Sequence, residues 1–320
     1  MKHVFIVNPV SGKVNADVYY VPKIKAAAEA AGLDWEVRRT EYKGHAVSLA
    51  REYGESGASV RLYACGGDGT LNEVFTGGYP YSNVEIASIP CGSGNDFVRN
   101  YGGSELFLDL ADNMAGTAIP IDLVSVNGGI SAAISSIGID SEIAYCIPKY
   151  RHLPLVGGHM AYSISIAECL CKHIGRKLRV EIDGEVVEDT LLIATVCNGV
   201  AYGGGFMASP NADLEDGLLE VILVKKMGRL RLAGLLSTYK AGAHLQDDAV
   251  VPSLRSVMTY CKAKKVNITP LDGESVIVNI DGECTIAQEL CAEILPLAAR
   301  FVLPAKVYAA HRTHAAAAHE

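Results

Sequence analysis

Three short apolar segments in the first hundred residues each lead directly into a polar loop that contains glycine. The segments are residues 3–7, 60–64 and 84–89, and the loops are residues 8–13, 65–70 and 90–96. Each segment has the length and hydrophobicity of a buried strand. Another strand is predicted at 35–40, and helices are predicted at 23–31, which Gly32 closes, and at 44–53. Alternating strands and helices predict an α/β domain with a mostly parallel sheet covered on both faces.

The three loops are expected to lie together, because the carboxyl ends of parallel strands share one edge of the sheet, where ligands bind. Glycines let a phosphate approach the backbone. The helix predicted after Thr70 would offer free N–H groups and a positive dipole end to that anion. Taken alone, the loop at Asp68 is also consistent with an ordinary strand-to-helix turn that Asp68 caps.

Two carboxylates stand where they are unfavourable without a partner. Asp68 would repel a phosphate unless Mg²⁺ or a substrate proton lay between them. Asp122 interrupts an apolar run, where a buried carboxylate is costly unless it is paired or bound to a metal. We therefore predict that Asp68 holds Mg²⁺, with Asp96 or Asp122 as a second ligand. Dinucleotide and Walker A motifs are excluded, since neither GxGxxG nor Gly-Lys-Ser/Thr occurs at these loops.

The pattern changes after about residue 121. Asp-Gly pairs occur at 183–184, 216–217, 272–273 and 281–282, among β-rich segments at 191–196, 218–224 and 275–280. Asp-Gly is a strong hairpin signal, so this half is predicted to be antiparallel β, with helices at 160–172 and 230–243.

Composition excludes several classes of protein. Lys and Arg total 28 against 36 Asp and Glu, and the net charge of −8 argues against general nucleic-acid binding. No run of 18 apolar residues is present, so no transmembrane segment is expected. The nine cysteines include no CxxC pair, which supports neither a zinc site nor a disulfide framework. The expected location is the cytoplasm.

The loop sequences match a known pattern. They are Asn8-Pro9-Val10-Ser11-Gly12-Lys13, Gly66-Gly67-Asp68-Gly69-Thr70 with Asn72-Glu73, and Gly92-Ser93-Gly94-Asn95-Asp96-Phe97. Together they resemble the bacterial diacylglycerol kinase and lipid kinase family, which also includes the sphingosine and ceramide kinases. The resemblance covers nearly the whole chain. In the second half it rests on residues 213–218, on Asp281-Gly282-Glu283 and on a strand at 295–304.

The resemblance implies a fold of two domains with ATP in the cleft between them. We expect an α/β nucleotide-binding domain at 1–126 and a β-rich, antiparallel, sandwich-like lipid-substrate domain at 127–295. A C-terminal segment at 296–310 returns to the first domain as a strand, and residues 311–320 are expected to form a disordered tail.

The resemblance also implies roles for individual residues. Glu283 matches the residue that accepts the proton, and a second metal is implied at the side chain of Asp216 and the carbonyl groups of Asp213 and Leu218. The residues expected to meet ATP are Asn8, Pro9, Val10, Ser11, Gly12, Thr40, Gly66, Gly67, Asp68, Gly69, Thr70, Leu71, Asn72 and Ser93. Many relatives carry Thr where this chain has Ser93, which keeps the hydroxyl. Without the resemblance, the preferred interpretation of Glu283 and Asp216 is that of plain turn residues.

The functional hypothesis is an ATP- and Mg²⁺-dependent lipid kinase. Phosphoryl transfer needs aligned phosphates, cations and a carboxylate that accepts the hydroxyl proton, and the residues above can supply all three. Diacylglycerol is the expected acceptor and phosphatidic acid the product, which places the protein in phospholipid metabolism at a membrane surface, with a homodimer allowed. The alternatives are a kinase for a sphingoid base or another lipid alcohol, and a non-catalytic regulator that binds nucleotide or lipid. NAD kinase shares a Gly-Gly-Asp-Gly loop but not the motifs at 92–97 and 281–283.

Overall fold

The computed structural model describes residues 1–12, 15–151, 158–171 and 175–317. Lys13, Lys172 and the last three residues of the expected tail lie outside these ranges. The chain forms two compact units. The first unit consists of Met1–Leu123 together with Pro296–Glu320, and the second unit is Val124–Leu295.

Helices and strands alternate along the first third of the chain, and strands predominate afterwards. The first elements are β1 (Lys2–Val7), α1 (Ala16–Ala30), β2 (Asp34–Arg39), α2 (His45–Glu55), β3 (Val60–Gly66), α3 (Asp68–Gly78), β4 (Val84–Pro90), α4 (Leu110–Met114) and β5 (Thr117–Val126). They are followed by β6 (Gly129–Ser131), β7 (Ile134–Gly138), α5 (Ile139–Arg151), α6 (Gly158–Cys171), β8 (Arg176–Ile182), β9 (Glu185–Cys197), β10 (Leu219–Lys225) and α7 (Arg229–Lys240). The last are β11 (Leu245–Gln246), β12 (Ala249–Val250), β13 (Met258–Ala263), β14 (Lys265–Pro270), β15 (Val276–Ile280), β16 (Glu283–Ala287), β17 (Leu290–Leu303) and α8 (Ala305–Ala317).

The first unit contains the predicted parallel sheet. Its strands lie in the order β2, β1, β3, β4, β17, and every neighbouring pair is parallel. The predicted return of the C-terminal strand is confirmed, because Phe301 of β17 pairs with Ile86 of β4. Every residue of β3 and β4 is buried, as expected for strands covered on both faces.

The second unit is antiparallel, as predicted. Strand β9 is central: it pairs with β7, β8 and β10, and β10 pairs in turn with β13. One face of these strands contributes to an apolar core that includes Val180, Ala194, Val221, Val266 and Val278. The structure therefore confirms the fold class expected for both halves of the chain.

Two of the four Asp-Gly pairs form the predicted hairpins. Asp183-Gly184 joins β8 to β9, and Asp281-Gly282 joins β15 to β16. All four of these residues have positive φ, as the type I′ turn requires. The hairpin predictions at 216–217 and 272–273 were wrong. Asp216-Gly217 lies in the long connection between β9 and β10, which are partners but are not joined by a two-residue turn, and Asp272-Gly273 lies between β14 and β15, which do not pair. Asp216 and Asp272 instead form ion pairs with Lys262 and Arg176.

The C-terminal tail also differs from the expectation of disorder. Helix α8 begins at Ala305 and continues past His311 to Ala317. This segment is rich in alanine, which has the highest helix propensity of all residues. In the described part of the chain, no helix combines the length and the hydrophobicity needed to cross a bilayer.

Candidate functional site

The loops that follow β1, β2, β3 and β4 meet at the carboxyl edge of the parallel sheet. Backbone hydrogen bonds just beyond the strands join the start of each loop to the end of a neighbouring strand. These bonds run from Asn8 N–H to Cys65 C=O (3.0 Å), from Thr40 N–H to Val7 C=O (2.9 Å) and from Cys91 N–H to Gly66 C=O (2.9 Å). The structure thus brings together the segments in which all the residues expected to meet ATP lie.

The backbones of these loops touch where two of the glycines stand. A Cβ atom on Gly12 would lie 2.0 Å from the carbonyl oxygen of Cys91, and the φ of Gly12 is +80°. A Cβ atom on Gly92 would lie 2.4 Å from the Cα atom of Gly67. Real side chains do not tolerate either distance. The packing of the three loops therefore requires glycine at both positions.

Helix α3 begins at the centre of this edge. Its N-cap residue, Gly67, has no side chain with which to bind the first N–H groups, so these groups and the positive end of the helix dipole face the loops. Thr70 is buried, and its Oγ1 accepts a hydrogen bond from Nδ2 of Asn8 at 3.1 Å. Thr70 is therefore not the helix cap, and its hydroxyl links the first loop to the second.

The carboxylates of Asp68 and Asp96 both approach Gly94. A Cβ atom on Gly94 would be 3.0 Å from Oδ2 of Asp68 and 3.4 Å from Oδ2 of Asp96. The Oδ1 atom of Asp68 accepts a hydrogen bond from the N–H of Phe97 at 3.1 Å, and Asp96 pairs with Arg99 at 3.0 Å. Two carboxylates that approach the same point of these loops are a donor set that suits Mg²⁺.

Asp122 does not join them. It is fully buried, and its Oδ1 accepts a hydrogen bond from the N–H of Leu297 at 2.7 Å. Leu297 lines a small cavity with Ser82, which precedes β4. Asp122 therefore lies at the amino end of the parallel sheet. A strand of the length of β4 spans about 20 Å at about 3.3 Å per residue, so Asp122 is about that far from the loops. Its partner is the backbone of a bend in β17, where Leu297 has a φ of +50°.

Asn95 shapes the loop that carries Ser93, a role that sequence reasoning missed. It has a φ of +52°, a conformation that asparagine tolerates better than most residues. Its side chain accepts a hydrogen bond from the N–H of Gly92 and donates to the carbonyl groups of Pro90 and Gly92. Positive φ could not be foreseen from the sequence, although a Gly-x-Gly-Asn string is typical of a tight loop.

Glu73 holds the start of α2. Its Oε1 accepts a hydrogen bond from the N–H of Gly44 at 2.9 Å, and its Oε2 accepts one from the N–H of Ala46 at 3.1 Å. The N-cap residue of α2 is Gly44 itself, which supplies no side-chain cap. Glu73 therefore caps a neighbouring helix from α3, next to the loop that begins with Thr40.

We expect Glu73→Ala to lower the free energy of unfolding by about 2 kcal/mol, because two helix N–H groups lose a charged acceptor. Urea unfolding of the full chain measures this loss. Glu52→Ala on α2 is the control, since it removes only an exposed pair with Arg38 and should cost about 0–1 kcal/mol. Equal losses in the two variants would contradict the capping role.

In the second unit, Glu283 is the first residue of β16 and is exposed. The preceding hairpin turn is anchored by Asp281, another role that sequence reasoning missed. The carboxylate of Asp281 accepts hydrogen bonds from Oγ of Ser131 and from the N–H groups of three consecutive residues, which are Ala132, Ala133 and Ile134. These bonds fix the turn that carries Glu283.

The residues implied as a second metal site share one turn of the second unit. Oδ1 of Asp213 accepts a hydrogen bond from the N–H of Glu215, and Oδ1 of Asp216 accepts one from the N–H of Leu218, both at 2.9 Å. The other oxygen of Asp216, Oδ2, is 2.9 Å from Nζ of Lys262. A lysine ammonium therefore already contacts the carboxylate expected to bind the metal.

A buried polar cluster in the second unit was not predicted. The hydroxyl of Tyr202 donates a hydrogen bond to Oδ2 of Asp140 at 3.2 Å, and Tyr239 and Thr195 lie close by. Burial raises the pKa of Asp140. Within the described ranges, Oδ1 of Asp140 and the hydroxyl of Tyr239 make no direct hydrogen bond. Incompletely satisfied polar groups in an apolar core are a feature of sites that receive water or a polar ligand group.

Two known family models match successive parts of the chain. Residues 2–126 match the model described as "Diacylglycerol kinase catalytic domain", and residues 133–303 match the model described as "YegS C-terminal NAD kinase beta sandwich-like domain". The second match alone covers more than half of the chain.

Individual relatives agree with the family models. A protein named diacylglycerol kinase from Bacillus subtilis (strain 168) is 29% identical over 287 residues, which cover 87% of this chain and 88% of the relative. One of the same name from Staphylococcus carnosus (strain TM300) is 28% identical over 280 residues, which cover 87% of each chain.

Solved structures show the same fold. A diacylglycerol kinase structure from Bacillus anthracis str. Sterne is similar with a TM-score of 0.67 at 23% identity, and the match covers 96% of this chain and 98% of that one. A second structure from the same organism gives a TM-score of 0.71 at 24% identity, with 94% and 96% coverage.

Proposed function

This chain belongs to the bacterial diacylglycerol kinase and lipid kinase family, and from that premise we propose that it transfers the γ-phosphoryl group of ATP to a lipid hydroxyl. Diacylglycerol is the proposed acceptor and phosphatidic acid the proposed product. The observation that supports this function best is the meeting of four loops, three of which contain glycine, at one edge of the parallel sheet. We further propose that the enzyme works from the cytoplasm at the surface of a membrane.

ATP is proposed to bind at the loop edge. The N–H groups at the start of α3 and its positive dipole end favour the phosphates. The absence of side chains at Gly67 and Gly92 lets the phosphates approach the backbone. Ser93 and Thr70 offer hydroxyl groups to the same anion. Thr40 and residues 8–12 border the edge and are assigned to the rest of the nucleotide.

Mg²⁺ fits the carboxylates of Asp68 and Asp96. Among the described residues, no group of three or more His, Cys, Asp or Glu could hold a metal by itself. A site with only two protein ligands suits Mg²⁺, which is commonly held by one or two carboxylates, by phosphate oxygens and by water. The ion would offset the negative charge that develops on the phosphates during transfer.

Glu283 is proposed as the general base. Its carboxylate would take the proton of the acceptor hydroxyl while the hydroxyl oxygen bonds to the γ-phosphorus and the bond from that phosphorus to the bridging oxygen of ADP breaks. Base catalysis of this kind contributes about 10²–10⁴-fold to the rate. The anchored turn at Asp281 suits the role, because a base is effective only when its position is fixed.

The acceptor is proposed to enter the second unit near the buried polar cluster of Asp140 and Tyr202. The cluster lies in an apolar core that includes Leu192, Leu232 and Leu235. Apolar surroundings with a few polar groups are what a lipid alcohol needs, since its chains must leave water while its hydroxyl groups keep hydrogen-bond partners.

An acceptor panel tests this function. The full-length protein is incubated with γ-labelled ATP and Mg²⁺ in mixed micelles that contain diacylglycerol, sphingosine, ceramide or monoacylglycerol. We expect label in phosphatidic acid, and we expect EDTA to abolish it. Label in another lipid alone would assign the enzyme to the alternative acceptor. Binding of ATP and lipid without any labelled product would favour a non-catalytic regulator.

A further inference from the structure

The ammonium group of Lys262 contacts the turn at residues 213–218. Nζ of Lys262 lies 2.9 Å from Oδ2 of Asp216 and 3.1 Å from Oε1 of Glu220. The pairing of β10 with β13 accounts for this geometry, because Glu220 and Lys262 are direct cross-strand partners. The ammonium is therefore directed onto Asp216 by the register of the sheet.

The two carboxylates that hold this ammonium differ in their exposure. The side chain of Glu220 is only 2% exposed, and that of Asp216 is 23% exposed. Lysine is a cation at neutral pH, so the two carboxylates face a positive charge.

A divalent cation does not fit the same donor set. One oxygen of Asp216 is bonded to the backbone N–H of Leu218 and the other to the ammonium. A metal on either oxygen would stand beside the ammonium, and like charges at that distance repel. Mg²⁺ also requires a near-ideal octahedron of oxygens, and the ammonium occupies part of that space.

We infer that Lys262 takes the place of the second metal in this chain, so that the turn is ordered without Mg²⁺ or Ca²⁺. The lysine neutralises Asp216, as a metal would otherwise do, and in addition ties the turn to β13. The structural order of the second unit is then independent of the divalent cation concentration, in contrast to the site proposed at Asp68.

Thermal unfolding of the full-length protein without nucleotide tests this inference. The unfolding midpoint of the wild-type protein should be the same in EDTA as in millimolar Mg²⁺ or Ca²⁺. Lys262→Met frees the carboxylates, and its midpoint should rise with metal by about 5 °C or more, as expected for a ligand present at a hundred times its Kd. Titration calorimetry with Ca²⁺ should show binding to this variant that the wild-type protein lacks.

Two further variants assign the response to this turn. Lys265→Met, on the neighbouring strand β14, removes an exposed pair with Glu293 and should create no metal response. Adding Asp216→Asn to Lys262→Met should abolish the response. A wild-type midpoint that rises with metal and no longer does so in Asp216→Asn would overturn the inference, and this comparison does not depend on whether Lys262→Met folds.

Discussion

Glu283→Gln is expected to lower kcat by about 10²–10⁴-fold while the KM for ATP stays nearly unchanged. Glutamine keeps the size and the hydrogen-bonding shape of the side chain but cannot take the proton of the acceptor hydroxyl. ATP is assigned to the loops of the first unit, so the substitution should not alter the affinity for ATP. Steady-state kinetics with labelled ATP and micellar diacylglycerol measures both constants.

The chain offers a closely matched control for this variant. Glu185 begins β9 directly after the type I′ turn Asp183-Gly184, just as Glu283 begins β16 after Asp281-Gly282. Both glutamates are exposed. Glu185→Gln should therefore leave kcat unchanged. Wild-type turnover in Glu283→Gln would remove the proposed base, and an equal loss in both variants would point to a general effect of the substitution.

Gly92→Ala should raise the KM for ATP by at least about tenfold, which corresponds to about 1.4 kcal/mol of binding free energy. The new Cβ would lie 2.4 Å from the Cα atom of Gly67. The Cα atom of Gly67 belongs to the backbone and the alanine Cβ is bonded directly to its own backbone, so the loops after β3 and β4 must move apart. The movement displaces the start of α3 from the loop that carries Ser93, and the phosphates lose one of the two surfaces assigned to them.

Gly234→Ala provides the comparison for that variant. Gly234 lies in α7 with nothing within 4 Å of its added Cβ, so the substitution should leave the KM unchanged and stabilise the helix by about 0.5–1 kcal/mol. Urea unfolding of both variants separates a local change from a loss of fold. An unaltered KM for ATP in Gly92→Ala would show that the contact between the two loops does not shape the nucleotide site.

Local pattern was enough to predict the fold of the first unit. The apolar runs before residues 8, 65 and 90 and the rule that parallel strands end on one edge led directly to the meeting of the loops. Boundaries were less accurate: α1 begins at Ala16 rather than at residue 23, since Asn15 caps it. Helix α5 was missed altogether. Its isoleucines and Pro148 obscure the helical pattern.

Contacts between distant parts of the chain could not be predicted in the same way. Asp281 anchors its turn on residues about 150 positions earlier, and Lys262 reaches back to Asp216 across a sheet. Asp122 was rightly expected to need a partner, but a bend in β17 supplies it. Each of these contacts depends on which residues of two strands lie opposite each other. The hydrophobic pattern restricts this register, but it does not determine the register of strands that long loops separate.

The order of synthesis has a consequence for the first unit. Phe301 of β17 is fully buried and packs against the rings of Phe75, Phe97, Tyr101 and Phe107. These rings leave the ribosome before the second unit does, whereas Phe301 emerges only after it. The nascent first unit must therefore wait, with one edge of its sheet and an aromatic patch uncovered, until the whole second unit has been translated.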